Sequence, residues 1–177
     1  MLRLFTALAL PVDIAEALNR RQSGLPGARW RPVDHLHITL AFYGEVAPRM
    51  ADDLDAELSR AAVAPVELEL AGTGAFGDAH QTDAIWAGVA PSEPLNVLAG
   101  RCRAAGERAG INIEKRVYRP HVTLAYLRGA QTDRIGAWMT GHNLLASPPF
   151  RVDRFGLYAS VLTHEGSRYT LEREYLL

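Results

Sequence analysis

The stretch His35-Leu36-His37-Ile38-Thr39-Leu40-Ala41-Phe42-Tyr43-Gly44-Glu45 decides how this chain is read. Its β-branched and aromatic residues, closed by a glycine, mark a strand running into a turn. Alternate side chains of a strand point to opposite faces. Period-two alternation sets Leu36, Ile38, Leu40 and Phe42 on one apolar face, packed on a core. It sets His35, His37, Thr39 and Ala41 on the other, so an imidazole and a hydroxyl stand side by side away from the core. The pattern returns as Pro120-His121-Val122-Thr123-Leu124-Ala125-Tyr126. There His121 and Thr123 share one face, and Val122, Leu124 and Tyr126 the other. Two copies of one unusual polar pair predict two strands facing a common cleft.

Outward from these strands, strands and helices alternate along the chain. Leu2 to Leu10 reads as a central strand, and Pro11 and Asp13 start a helix through about Gln22. Pro48 opens a second helix with Met50, Leu54 and Leu58 on one stripe. Val66 to Leu70 alternates as a strand with one wet face, and Gly72 to Asp83 reads as a flexible loop. A strand over Ala84–Val89 and a helix over Ser92–Ala109 precede the second histidine strand. A short helix over Thr132–Met139 follows, then strands over Phe150–Ala159 and Ser167–Tyr175. Each half of this order carries one histidine strand, and no linker or low-complexity tract separates them. The prediction is a duplicated, bilobal α+β fold: one domain over residues 1–177, with two antiparallel-rich sheets and outer helices around a central cleft.

Composition narrows the function classes. The chain has 177 residues, 48% apolar and 22% charged, which is ordinary for a globular domain with a real core. A formal net charge of −1 rules out a global basic field for nucleic acid, so such a partner must be read locally, at a strand end. Cys102 is the single cysteine, so no intramolecular disulfide forms. It falls in register with the apolar stripe of its helix and reads as a buried structural residue. No run approaches membrane-spanning length, and the N-terminus lacks signal-peptide features. The expectation is a cytoplasmic monomer. No G-x-G-x-x-G or P-loop is present, so no dinucleotide or nucleoside-triphosphate site is indicated.

Two histidines across a cleft suit a displacement that needs an acid and a base together, because imidazole titrates near neutrality. Phosphodiester hydrolysis has that demand. Each threonine, two residues along on the same face, can donate its hydroxyl to a phosphate oxygen that gains charge in the transition state. Arg119, just before the second pair, can add a charge-assisted contact.

These residues carry a resemblance. H-x-T-L occurring twice, the second introduced by Arg119-Pro120, resembles the 2H phosphoesterase superfamily. Within it the chain is most similar to the RNA 2′,3′-cyclic phosphodiesterases, also called LigT-like or 2′-5′ RNA ligases. The opening Arg-Leu-Phe-Thr-Ala-Leu-Ala-Leu-Pro and the closing Gly166…Tyr169 fit it too, so the resemblance spans essentially the whole chain. It implies a pseudo-twofold bilobal fold and a mechanism without metal or other cofactor, acting on RNA ends or nucleotide cyclic phosphates. It implies His37 as proton donor to the departing 3′-oxygen, His121 as proton acceptor from water, and an RNA 2′-phosphate product. ATP-independent joining of 2′-5′ ends is the reverse of cleaving a 2′-5′ linkage. The family often carries arginine right after the second motif, where this chain has Tyr126. Arg119 and Arg128 are then the candidates for the phosphate contact, and Phe42 and Tyr126 for flanking a base or ribose.

Blander readings stand beside these. His35 is read as a solvated strand-end residue, and a zinc site of His35, His37 and His121 lacks an acidic or cysteine ligand. His80, His142 and His164 are read as surface loop residues, with His80 and His164 able to border the cleft. Trp30, Trp86 and Trp138 are read as packing residues, and Arg29 and Arg31 as solubilising ones that could meet an RNA backbone. The competing functions are a phosphodiesterase for 2′-5′ linkages or small cyclic nucleotides, and a nucleotide-binding module without turnover.

Overall fold

The two histidine strands sit side by side in the middle of the sheet, and their core faces are buried. In a computed structural model, which describes residues 2–77, 81–114, 116–163 and 166–177, Ile38 and Val122 are both 0% exposed. Removing each of these side chains from water contributes roughly 1.5–3 kcal/mol. His80 and His164 lie outside the described residues.

The elements follow the alternation expected from the sequence. They are β1 (Leu2–Ala9), α1 (Val12–Asn19), β2 (Ala28–Trp30), a 3-10 turn (Val33–His35), β3 (His37–Val46), α2 (Pro48–Leu58), β4 (Val66–Leu68) and β5 (Leu70–Gly77). There follow β6 (Thr82–Val89), α3 (Glu93–Arg108), β7 (His121–Leu127), α4 (Thr132–Gly141), β8 (Phe150–Val152), β9 (Arg154–Thr163) and β10 (Gly166–Leu176). Pro48 opens α2, and the Ser92 hydroxyl accepts from the Leu95 N–H to cap α3.

The result is a mixed α+β fold with antiparallel pairing throughout. The main ladder runs β10-β9-β1-β3-β7-β6-β5, with β2 also on β7, and β4 and β8 pair separately. The ladder nearly splits in the middle, because β3 and β7 are joined through the single pair Ile38–Val122. Along the rest of that edge β2 takes the place of β3, pairing Ala28 with Leu127 and Trp30 with Ala125. Two antiparallel sheets thus open away from one shared point. Their core faces pack on helices: α3 lies against β3 and α2, and the Tyr43 hydroxyl donates to the Cys102 carbonyl at 3.0 Å. Cys102 is buried, and burial pushes its thiol up to about 12.

Several boundaries differ from the sequence reading. Gly72 to Asp83 is not an open loop, since β5 runs to Gly77 and β6 begins at Thr82. Gly74 is there for room: a Cβ on it would lie 2.1 Å from the Trp86 ring. Val66 to Leu70 breaks after Leu68, and Phe150 to Ala159 breaks into β8 and β9. His35 is not in the histidine strand but closes the 3-10 turn before it. Arg29 and Trp30, read as a lead-in, form part of β2.

The sharpest difference concerns Phe42 and Tyr126. Alternation places both on the core face, yet Phe42 is 65% and Tyr126 46% exposed. In β3 the register moves from Thr6–Ala41 to Ala7–Thr39, leaving Leu40 as an extra residue. In β7 it moves from Ile85–Ala125 to Trp86–Thr123, leaving Leu124 as an extra residue. A β-bulge resets the alternation. Leu40 with Ala41, and Leu124 with Ala125, are therefore buried in succession, and the aromatic that follows turns to the other face. The bulge sits at the same place in both strands.

Candidate active site

The single β3–β7 pair determines the geometry of the site. In an antiparallel ladder, pairing Ile38 with Val122 puts the neighbours His37 opposite Thr123 and Thr39 opposite His121. With both apolar partners turned into the core, all four polar side chains stand on the opposite face. They line one cleft of about 500 Å³, together with Phe42 and Tyr126. Six of the eight residues singled out in the sequence are thus brought together.

The other two are not. Arg119 and Arg128 are exposed and do not line the cleft. Their backbones have uses instead. The Arg119 carbonyl lies 2.6 Å from His121 Nδ1, and the Arg128 N–H donates to the Gly27 carbonyl at 3.1 Å.

Each imidazole is held by the backbone two residues before it: His121 by Arg119, and His37 by His35. A carbonyl at His121 Nδ1 keeps the proton on that nitrogen and leaves Nε2 for the cleft. Aromatic rings complete each setting. Phe5 and Tyr169 lie 5.2 and 5.5 Å from the His37 ring. Phe76 and Trp86 lie 4.7 and 5.9 Å from the His121 ring. Burial lowers both histidines below their ordinary range. His37 falls to about 4, through burial first, partly offset by its backbone bond to His35, then through the charges of Arg31, His35 and His121. His121 is lowered by burial, partly offset by its bond to Arg119.

Among the other residues that line the cleft, Arg31 and His35 carry polar groups beside the histidine motifs. Arg31 is only 9% exposed. Its guanidinium donates to the Tyr169 hydroxyl at 2.8 Å, lies 3.2 Å from His35 Nδ1, and sits 5.3 Å from the centre of the Tyr126 ring. The β7 bulge delivers it there, because the Arg31 N–H donates to the Leu124 carbonyl at 2.8 Å, where β2 and β3 part. His35, read as solvated, lines the cleft, with Tyr169 4.7 Å away. Its pKa is lowered by burial and by Arg31, against Asp34. The cue available in the sequence was an arginine and a histidine flanking Pro32 just ahead of the motif. Nothing local marked them as inward-facing.

The remaining residues settle as packing. Trp138 is buried and stacks on His142 at 4.1 Å, so His142 is a half-buried helix-end residue rather than a loop one. Among the described residues no three His, Cys, Asp or Glu side chains gather as a metal-ligand set, and no helix is long and apolar enough to cross a membrane.

The comparisons with known proteins agree with this geometry. The sequence model of the 2′-5′ RNA ligase superfamily matches residues 10–162. The RNA 2′,3′-cyclic phosphodiesterase of Escherichia coli K12 is 33% identical over 172 residues, covering 95% of this chain and 92% of that protein. That of Geobacillus stearothermophilus is 35% identical over 127 residues, 68% of this chain, but the match spans only 40% of that relative's length. The solved structure of Escherichia coli LigT with 3′-AMP superposes with a TM-score of 0.80 at 30% identity, covering 99% of this chain and 98% of LigT. A Thermus thermophilus protein superposes with a TM-score of 0.83 at 27% identity, covering 99% of this chain and 97% of that one. With paired histidine strands meeting at one ladder contact, and a family match over most of its length, the chain belongs to the 2′-5′ RNA ligase superfamily.

Proposed function

We propose that the cleft hydrolyses RNA 2′,3′-cyclic phosphate ends to 2′-phosphates by paired-histidine acid–base catalysis. The observation that carries this is the crossed arrangement at the Ile38–Val122 pair, which sets each imidazole opposite the other motif's hydroxyl. His121 Nε2 takes a proton from water as the water oxygen attacks phosphorus. The bond from phosphorus to O3′ breaks, and His37 delivers a proton to the departing oxygen. The product is a 2′-phosphate beside a free 3′-hydroxyl. Thr39 and Thr123 donate hydrogen bonds to the non-bridging oxygens as their charge grows. Phe42 and Tyr126, exposed at the cleft, offer ring faces to the base or ribose. With a 5′-hydroxyl in place of water, the same steps join a 2′-5′ linkage as O3′ departs, and the reverse of that joining cleaves the linkage back to the cyclic phosphate.

His37 must carry a proton in the complex, although burial holds it low in the empty cleft. The phosphodiester's negative charge supplies the compensation, since an anion beside an imidazole favours its protonated form. The shared bulge and the repeated burial pattern of β3 and β7 support a duplicated unit, with residues 1–177 as one domain of paired lobes. The enzyme acts as a cytoplasmic monomer.

The test is incubation of pure protein with an oligonucleotide ending in a 2′,3′-cyclic phosphate, with and without excess chelator. Conversion to the 2′-phosphate, unchanged by chelator, is expected. A 3′-phosphate product or an unreacted end overturns the reading. Loss on chelation, restored by zinc, would bring His35 back as a ligand.

A further inference from the structure

We propose that Arg31 is the phosphate-binding cation of this cleft, standing in for an arginine that the chain lacks at position 126. This rests on the phosphodiesterase reading for the identity of the anion, but not for the existence of an anion site. A guanidinium is costly to withdraw from water unless a negative group faces it. Arg31 is nearly buried, yet among the described residues no carboxylate pairs with it. Surface arginines such as Arg103, Arg108 and Arg154 are each paired with a glutamate or aspartate. The contacts of Arg31 hold its orientation without neutralising it: a phenol oxygen on Tyr169, an imidazole nitrogen on His35, and the ring face of Tyr126. That leaves a positive charge beside His37, in the cleft that both histidine motifs line. The only other arginine lining it among the described residues, Arg3, is exposed at its rim.

Position matters as much as charge. Tyr126 is the residue where the family often carries arginine, and its ring is what the Arg31 guanidinium covers. The cation reaches the same space from the end of β2 instead of from β7. A planar guanidinium can meet two phosphate oxygens at once, which a lysine ammonium cannot. His35 is then a positioning residue, because its Nδ1 accepts from the Arg31 guanidinium at 3.2 Å.

The probe is inorganic phosphate, titrated by calorimetry into the full chain, alongside kcat/KM on a cyclic-phosphate oligonucleotide. Arg31→Met keeps the apolar stem that packs the cleft and removes the charge. It should weaken phosphate binding at least about tenfold and lower kcat/KM by about a hundredfold, the usual worth of a charge-assisted contact on a transferring phosphate. Arg31→Lys should keep part of both. Adding Tyr126→Arg to Arg31→Met should recover at least about tenfold in each measure. Phosphate affinity in Arg31→Met within about twofold of the parent protein overturns the proposal. So does a result in which the lysine variant and the double variant both stay at the methionine level. If the parent binds phosphate through Arg31 yet leaves cyclic ends intact, the catalytic reading falls and this assignment stands.

Discussion

His37 and His121 occupy the same place on strands that share a sequence, a bulge and a burial pattern, yet their surroundings differ. On the β1 side, His37 is packed against Phe5 and Tyr169 and feels Arg31 and His35. On the β6 side, His121 is packed against Phe76 and Trp86, and burial alone lowers it. The repeat supplies two interchangeable imidazoles. What surrounds the repeat makes them unlike each other, and an acid and a base must be unlike.

The comparison breaks most visibly at the histidines themselves. His37→Ala and His121→Ala should each lower turnover by about two to four orders of magnitude. With a nitrophenyl ester, whose leaving group needs no proton, His37→Ala should regain much of its loss while His121→Ala stays slow. Rescue of the His121 variant instead would mean that the two roles are exchanged.

Next in size are the hydroxyls opposite them. Thr39→Ala and Thr123→Ala should each cost about one to three orders in kcat, as lost donors to the charged phosphate oxygens, with KM moving less. Full activity in both variants would pass phosphate binding entirely to the arginine.

The smallest effect is a shift along the pH axis. kcat/KM reports ionisations of the free enzyme, where both imidazoles are lowered from 6.5 and His37 to about 4. A bell with its maximum below pH 6.5 is expected. The kcat profile should lie at higher pH, because bound phosphate favours each protonated form. A kcat/KM maximum above about pH 7 would show that the empty cleft is wetter than its burial implies. The same shift reaches stability. The unfolded chain takes up a proton at His37 near pH 6.5 and the folded one only near 4, so Tm should fall as pH drops through that window. His37→Gln should flatten part of that fall, and an unchanged slope would place its cause elsewhere.

Much of this site was legible before folding. Strand alternation alone puts His37 with Thr39 and His121 with Thr123, because side-chain direction along a strand is a local property of the backbone. The repetition of the pair pointed to a shared cleft and to the family. Phe42 and Tyr126 show where local reasoning stops. Both are candidates for flanking a base, yet alternation places them on the core face. Only the registers with β1 and β6 create the bulges that turn them outward. Nearness in sequence favours Arg119 and Arg128, and leaves Arg31 among the solubilising residues. The deciding fact was tertiary. The carbonyl exposed by the β7 bulge takes the Arg31 N–H, and that bond anchors the arginine where β2 and β3 diverge. The sequence by itself determined which titratable and hydroxyl groups share a face of each strand, since that follows from residue type and backbone period. Register between strands decided which cation and which aromatics join them, since that depends on pairings between segments far apart along the chain.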